Sequence, residues 1–316
     1  MTTARSLEEL QASVQDKSAF KQLADYHALT TAFLDLLAQT KPTRIMAPND
    51  HRYVFFQYGK EHNYKITRPL NFDLFIETAD EFYTAFTRLM LFLADMRQQG
   101  QTAADLPSVQ SYLQTNEINK AVYTMQQSIG SIGDSFTNPN QSRKRIGQLF
   151  ENLVKLLIQE MGFPCQPRTI SVPIPDSPGY KMSYELDLVI SQKGAIVTSE
   201  SALLHPDESI GSVKTTSKDR IDKIFLDKFL LGRLLGREIK VVAIFLHDVQ
   251  RAHMATSIFG VNSTFKTNHF LGYTLALNRL NGVYYVDPRP EMVSNPRLRN
   301  EIGDLQRFLT QDIWNL

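Results

Sequence analysis

Two short stretches, YELDLVI at 184–190 and IGSVK at 210–214, decide the fold of this 316-residue chain. Both are short, rich in aliphatic residues and bounded by polar segments, which is typical of strands. A nearly continuous apolar run, KVVAIFL at 240–246, predicts a third strand that is buried on both faces. The three strands therefore predict a central sheet in the second half of the chain.

Helices and further strands are predicted around this sheet. Amphipathic patterns predict helices at 143–161, 218–235 and 298–314, and strands at 169–174 and 282–286. Gly236 follows the second of these helices as a helix-ending glycine should. Helices alternating with strands predict an α/β fold with a central mixed sheet flanked by helices.

The first part of the chain has a different pattern. Apolar residues recur at helical spacing in 7–37, 72–96 and 109–125, so residues 1–130 are predicted to be mainly helical, with a short hairpin at 52–66. The stretch GSIGDSFTNPNQS at 130–142 is rich in Gly, Ser, Asn and Pro and predicts a linker. We therefore expect a helical N-terminal region at 1–130 and a separate domain at 131–316.

Composition excludes some classes of protein and leaves others open. The net charge of +1 and the 42% hydrophobic content suit an ordinary globular protein, and no run of eighteen apolar residues predicts a membrane span. The polar N-terminus argues against a signal peptide. Cys165 is the only cysteine, so we expect no disulfide and a reducing, cytoplasmic location. No Walker or dinucleotide fingerprint is present, so no nucleotide cofactor is expected.

Strand alternation identifies the first candidate site residues. In 184–190 the side chains of Tyr184, Leu186 and Leu188 share one face, which leaves Glu185 and Asp187 together on the other. Two carboxylates side by side on an apolar strand are costly unless they are solvated, paired or bound to metal. A solvent-exposed sheet edge is the alternative explanation.

The next strand places Ser212 and Lys214 on one face by the same alternation. Carboxylates facing a lysine are what cleavage of a phosphodiester requires. Carboxylate oxygens bind a hard divalent cation, and an ammonium group holds or activates a water. A surface lysine is the alternative for Lys214. On the helix before the strands, Glu151 lies on the same stripe as apolar residues and is a third candidate, although an ion pair with Lys155 explains it equally well.

A family resemblance appears in the order of these elements. The segment 145–154 (RIGQLFENLV), then Glu185-Leu186-Asp187-Leu188-Val189, then Gly211-Ser212-Val213-Lys214-Thr215 resembles the PD-(D/E)XK nuclease superfamily. Within it, the chain is most similar to Type II restriction endonucleases with a serine-x-lysine motif. The resemblance covers about 145–246. It implies a Mg²⁺-dependent endonuclease, with Asp187 as the motif aspartate, Lys214 as the motif lysine and Glu151 as the helix glutamate.

Two departures from the family pattern bear on the metal ligands. Leu186 replaces the motif proline, and Ser212 occupies the position of the motif acid. In the serine-x-lysine form a carboxylate on the following helix takes over, here Asp222 or Asp227, with Asp227 closer to the usual spacing. Glu151 is the other possible source of the missing oxygen. The candidate metal ligands are therefore Asp187, Glu151, Asp227 and Glu185.

The segment after Lys214 predicts contact with DNA. It combines hydroxyl and basic side chains at a helix N-terminus, which suits a phosphate, and Ser217 is a candidate N-cap. The candidate DNA-contacting residues are Thr215, Thr216, Ser217, Lys218 and Arg220. The segment 212–240 contains eight basic residues and four acidic ones, although a solvated helix face explains this count as well.

The resemblance implies double-stranded DNA as substrate and a two-fold symmetric homodimer, because palindromic sites match such symmetry. Region 1–130 would serve in dimerisation or recognition. Two alternatives stay open. One is a repair or recombination nuclease that recognises DNA structure, and the other is a non-catalytic DNA-binding protein on the same fold, which Ser212 in the acid position would favour.

Overall fold

A computed structural model describes residues 5–59, 68–218 and 220–316. The chain divides into two compact units that are interleaved in sequence. The first comprises Met1–Phe92, Pro107–Leu153 and Val249–Thr264, and the second comprises Leu93–Leu106, Val154–Asp248 and Phe265–Leu316. The boundary predicted at 130/131 therefore does not coincide with a boundary between the units.

The helices before the central sheet are more numerous than the apolar pattern predicts. They are α1 (Leu7–Gln15), α2 (Leu23–Thr40), α3 (Ala79–Gln99), α4 (Pro107–Leu113), α5 (Glu117–Gly133) and α6 (Pro139–Glu160). Strands β1 (Thr43–Met46), β2 (Tyr53–Gln57) and β3 (Leu70–Asn71) form an antiparallel sheet in the order β1-β2-β3. The hairpin predicted at 52–66 contributes β2, and residues 60–66 of that prediction lie outside the described residues.

The linker predicted at 130–142 is wrong. Helix α5 continues through Gly133 and α6 begins at Pro139, so only a short turn separates them. The glycines serve close packing rather than flexibility. A Cβ at Gly130 would lie 1.8 Å from the Arg68 guanidinium, and one at Gly133 would lie 2.6 Å from Ile146. Arg68 in turn forms a bidentate ion pair with Asp134 at 2.8 Å.

The second unit contains the central sheet. Its strands are β4 (Cys165–Pro173), β5 (Lys181–Ser191), β6 (Glu208–Thr216), β7 (Lys240–His247), β10 (Gly282–Tyr285) and β11 (Ile302–Asp304), in the order β11-β10-β7-β6-β5-β4. The pairs β6–β7, β7–β10 and β10–β11 are parallel, whereas β5 is antiparallel to both its neighbours. The predicted mixed sheet is confirmed. Strands β8 (Val249–Ala252) and β9 (Gly260–Ser263) form a separate hairpin in the first unit.

Helix α7 (Ile221–Leu235) covers one face of the central sheet. Its apolar side chains Ile221, Ile224, Phe225 and Leu231 join a buried cluster with residues of the strands. Gly236 ends the helix with a φ of 66°, a left-handed conformation that glycine adopts without strain. Strand β7 is buried along its length after Lys240, as predicted for a strand covered on both faces.

The prediction of a single helix at 298–314 is wrong. This segment forms β11, the short helix α10 (Leu305–Thr310) and a 3₁₀ turn at Asp312–Asn315. Ile302 and Gly303 pair with Val283 and Tyr284 of β10, and the Asp304 side chain accepts a hydrogen bond from the Arg307 N–H at 2.8 Å. The apolar spacing comes from a strand and a helix in succession, which imitates one longer helix. Two further short helices, α8 (Thr267–Gly272) and α9 (Pro290–Ser294), lie between β9 and β11. In the described part of the chain, none of the helices has the length and apolar character that crossing a bilayer requires.

Candidate active site

The position of Asp187 is determined by an irregularity in β5. Gln166 pairs with Val189 and Arg168 pairs with Leu186, so β5 holds one more residue than β4 between these pairs. Such a β-bulge redirects side chains. The buried cluster accordingly contains Leu186 and Val189, so the strict alternation predicted for Tyr184, Leu186 and Leu188 breaks at the bulge. Asp187 lies within the bulge, just beyond the point where β5 pairs with β6 through Leu188 and Gly211.

The Asp187 carboxylate is the point where groups of β6 converge. Its Oδ2 accepts hydrogen bonds from Ser212 Oγ at 3.2 Å, from the Val213 N–H at 3.0 Å and from Lys214 Nζ at 2.5 Å. The Asp187 and Lys214 side chains are 18% and 22% exposed, so solvent still reaches both. The predicted common face of Ser212 and Lys214 is thus present, and it faces Asp187.

A cavity of about 600 Å³ opens beside this cluster. It is lined by residues of β5, β6 and α7, all of which belong to the second unit. Among the candidate site residues it brings together Glu185, Asp187, Ser212, Lys214, Arg220 and Asp227. Carboxylates and ammonium groups therefore share one solvent-reachable space, as binding of a metal ion and a phosphate requires.

Asp227 is the carboxylate that α7 contributes to the cavity. Burial raises its pKa above the ordinary value, Lys223 lowers it, and the negative charge of Asp187 raises it further. Lys223 Nζ lies 3.8 Å from Asp227 Oδ2. Asp222, one turn earlier, is exposed and is not among the residues lining the cavity in the described part of α7. The geometry therefore favours Asp227 over Asp222 as the helix carboxylate.

Comparison with solved structures identifies the fold. The structure superimposes on that of the Type IIP restriction endonuclease Kpn2I with a TM-score of 0.70 and 18% sequence identity, over 98% of this chain and 96% of that one. The chain therefore has the fold of this restriction endonuclease. A complex of the restriction endonuclease PspGI with substrate DNA is also similar, at 13% identity over 75% of this chain and 92% of that one, but its TM-score of 0.39 is too low to show a common fold. No family model and no curated protein match the sequence.

On this restriction-endonuclease fold the donor set fits a magnesium ion. Mg²⁺ binds proteins through one or two carboxylates and keeps several waters or phosphate oxygens. Asp187 and Asp227 meet that requirement, and their mutual repulsion is what a divalent cation between them would relieve. Among the described residues no group of three or more His, Cys, Asp or Glu side chains is arranged around one point. Water and substrate would therefore have to complete the coordination.

The other two predicted metal ligands, Glu185 and Glu151, differ in their positions. Glu185 is exposed on β5 and lines the cavity two residues from Asp187. Glu151 is half-buried on α6 and belongs to the first unit, whereas Asp187, Lys214 and Asp227 belong to the second. The structure thus gathers Asp187, Asp227 and Glu185 around one cavity, and the role of Glu151 stays a prediction.

The predicted DNA-contacting segment divides into exposed and buried residues. Lys218 and Arg220 are exposed, and Thr215 and Thr216 are half-buried. The prediction that Ser217 caps α7 is wrong, because the helix begins at Ile221 with Arg220 as N-cap. Ser217 is only 2% exposed, and its hydroxyl faces the buried Tyr285 hydroxyl. Burial raises the pKa of Tyr285 and the nearby Ser217 hydroxyl opposes that rise, but neither hydroxyl has a hydrogen-bond partner among the described residues.

One cavity residue was missed by sequence reasoning. Lys228 is 6% exposed, and its Nζ donates to the Arg279 carbonyl at 2.5 Å and to Asn281 Oδ1 at 2.9 Å. Burial lowers the pKa of Lys228. Asn281 Oδ1 also accepts the Val241 N–H at 2.9 Å, so Lys228 fixes the middle of α7 to the start of β7. The only signal in the sequence was a lysine between Asp227 and the apolar residues of α7.

Proposed function

We propose that this protein is a Mg²⁺-dependent endonuclease that hydrolyses phosphodiester bonds of double-stranded DNA at a specific sequence, as Type II restriction endonucleases do. The observation that carries the proposal is the convergence of Ser212, Val213 N–H and Lys214 on Asp187, in a cavity that also holds Asp227. The restriction-endonuclease fold supports the same conclusion.

The metal would be held by Asp187 and Asp227, with Glu185 beside them and Glu151 as a further candidate ligand. When bound, Mg²⁺ polarises the scissile phosphate and lowers the pKa of a coordinated water. Asp227 would then occupy the place of the motif acid that Ser212 cannot fill. The raised pKa of Asp227 fits this role, because a carboxyl group kept near another carboxylate gains most from a bound cation.

The chain's own residues perform the other tasks. Lys214, held by Asp187 at 2.5 Å, would orient the attacking water and stabilise negative charge that develops on the phosphate. Ser212 would keep the Asp187 carboxylate in one orientation through its hydrogen bond of 3.2 Å. The exposed cations Lys218 and Arg220, with Thr215 and Thr216, would contact the DNA backbone near the scissile bond.

A homodimer follows from the proposed substrate. Cutting both strands of a palindromic site requires two active sites related by a two-fold axis, and a symmetric dimer supplies them. We propose that part of region 1–130 serves this assembly or the recognition of bases.

Phage DNA provides a direct test. The protein would be incubated with it in the presence of Mg²⁺, and in parallel with EDTA, beside Asp187→Ala and Lys214→Ala variants. Discrete fragments from the unsubstituted protein, lost in EDTA and in both variants, are the expected result. Retained cleavage in Asp187→Ala would overturn the site assignment. Cutting confined to branched substrates would indicate a structure-specific nuclease, and binding without cleavage would indicate a non-catalytic DNA-binding protein.

A further inference from the structure

The β8–β9 hairpin of the first unit is held firmly at its base. Phe55 and Phe259 rings lie 5.3 Å apart, and Val249 and Val261 join a buried cluster with Ala47 and Tyr53. The Asn49 side chain bonds both the carbonyl of Val261 at 2.7 Å and its N–H at 3.0 Å, as a neighbouring strand would. The base of the hairpin is therefore packed within the first unit rather than forming a loose loop.

The outer face of this hairpin carries amide side chains. Gln250 pairs directly with Asn262, so both side chains leave the ribbon on the same face. Val249 and Val261 are their chain neighbours and occupy the packed face. Asn262 is exposed and Gln250 is half-buried. The face turned away from the buried cluster thus presents two amides side by side.

Small and apolar residues form the rest of this face. Met254 and Ser257 exchange backbone hydrogen bonds of 2.8 and 3.4 Å, which closes a tight tip. Met254 lies over Gly260, where a Cβ would come within 2.6 Å of its side chain, and the partner of Gly260 across the ribbon is Ala252. Met254 is nevertheless 41% exposed, and Ile258 at the tip is 40% exposed. Small and apolar residues therefore continue the amide face toward the tip.

The hairpin is also free of negative charge. The sequence has no Asp or Glu between Asp248 and Asp287, a run of 38 residues at 249–286. Arg251 and His253 within the hairpin are both exposed. In a chain whose net charge is only +1, a hairpin that has no acidic residue and carries exposed Arg251 favours a polyanionic partner over an ordinary protein surface.

We propose that the β8–β9 hairpin binds double-stranded DNA in its major groove and contributes to sequence recognition. A two-stranded ribbon fits the major groove of B-DNA, and Asn or Gln amides form bidentate hydrogen bonds with adenine. Asn262, with Gln250 beside it, would contact base edges, Met254 or Ile258 would contact apolar groups of the bases, and Arg251 would contact a backbone phosphate. This inference rests on the proposed function, because it assigns a recognition element to the proposed enzyme.

Binding measurements on the full-length chain test the proposal. An Asp187→Ala background keeps bound DNA uncut, and fluorescence anisotropy would compare duplexes with and without the sequence that the unsubstituted protein cleaves. Asn262→Ala should weaken binding to the cleaved sequence about tenfold and leave the other duplex unaffected. Arg251→Gln should weaken binding to both duplexes equally and reduce the slope of log K against log salt by about 0.9.

Asn300→Ala and Arg299→Gln are matched controls, because both residues are exposed and lie outside the hairpin. Both should bind as the parent does, and thermal melts should show all variants folded. If the parent binds DNA and the hairpin variants match these controls, the hairpin proposal is wrong while the proposed function stands. Variants that instead lose self-association in gel filtration, with unchanged salt dependence, would identify a second copy as the occupant and overturn it too. An unsubstituted protein that neither binds nor cleaves duplex DNA would overturn the proposed function and the hairpin proposal together.

Discussion

Strand β5 and helix α5 both place polar groups in buried surroundings, but they use them differently. In β5 the Asp187 carboxylate collects three hydrogen bonds from β6 and faces a cavity open to solvent. In α5 every residue from Ala121 to Gly133 is buried, and polar side chains among them bond the surrounding backbone or the Arg68–Asp134 pair. Among the described residues, Ser128 Oγ and Gln127 Nε2 find no partner at all.

The comparison of β5 with α5 shows how a buried polar group in a functional site differs from one that only stabilises the fold. Burial of a polar group is costly in either place. In α5 the cost is offset by contacts that hold the fold together, whereas in β5 the groups converge on one oxygen that a ligand can reach. Convergence toward a cavity, rather than burial, is therefore the property that separates Asp187 from Gln127. Substitutions in the two regions should accordingly change different quantities.

The largest expected effect is that of Asp187→Asn on cleavage. The amide cannot hold a divalent cation as a carboxylate does, and it no longer holds the Lys214 ammonium by charge, so the cleavage rate should fall about 10³-fold. The midpoint of thermal unfolding should change little. The rate is measured as fragment formation from phage DNA under single-turnover conditions.

Asp176→Asn is the matched control, because Asp176 is exposed at the turn between β4 and β5 and has a φ of 56° that Asn also tolerates. It should cleave as the unsubstituted protein does. An Asp187→Asn variant that unfolds instead of losing activity would move Asp187 into the structural class represented by α5.

Gly130→Ala should have the opposite signature, with stability lost and the site intact. Alanine gains about 1 kcal/mol of helix propensity over glycine. Its Cβ would however displace the Arg68 guanidinium, which pairs with Asp134 and donates a hydrogen bond to Gln127 Oε1 at 3.1 Å only in its present position. Breaking a partly buried pair costs about 3 kcal/mol, so the free energy of unfolding should fall by about 2 kcal/mol.

Urea denaturation measures this loss, and cleavage per folded molecule should be unchanged. Gly147→Ala provides the control, because nothing lies within 4 Å of a Cβ built there. That variant should be neutral or more stable by up to about 1 kcal/mol. Equal stability of the two variants would mean that Gly130 is not held by close packing.

The sequence predicts those features of the structure that depend on neighbouring residues, but not those that depend on contacts between residues distant in the sequence. Local alternation of apolar and polar residues predicts the strands that carry Asp187 and Lys214. Gly236 predicts the end of its helix, and the succession of helices and strands predicts the mixed sheet. The bulge at Asp187 does not, because it depends on the pairing of β5 with β4. The linker predicted from Gly130 and Gly133 is wrong for a similar reason. Their role depends on Arg68 and Ile146, which local composition cannot reveal. Spacing already favoured Asp227 over Asp222, but its place in the same cavity as Asp187 depends on the position of α7 on the sheet.

Asp227→Asn should lower cleavage about 10- to 100-fold and also make the protein slightly more stable without Mg²⁺. A carboxyl whose pKa is raised in the folded state binds its proton more tightly there than when unfolded, so stability is lost as the pH rises through that pKa. The neutral amide removes this loss at neutral pH. In the unsubstituted protein, cleavage should also fall on acidification at a higher pH than an ordinary aspartate would give.

Asp222→Asn separates the two helix carboxylates, since it should change neither cleavage nor the melting temperature measured by differential scanning calorimetry. The reverse pattern, with cleavage lost in Asp222→Asn and kept in Asp227→Asn, would transfer the role of the missing motif acid to Asp222.

The smallest expected effect is that of Ser217→Ala. Its hydroxyl is buried near Tyr285 and has no hydrogen-bond partner among the described residues, so the variant should change the free energy of unfolding by less than about 1 kcal/mol and keep both its cleavage rate and the salt dependence of DNA binding. Lys218→Gln, one residue later and exposed, should keep its stability and reduce the salt slope by about 0.9. A reduced salt slope in Ser217→Ala would require this hydroxyl to leave its buried place and contact a phosphate. The segment after Lys214 would then have to rearrange on binding DNA, and the division between structural and functional polar groups would hold only for the free protein.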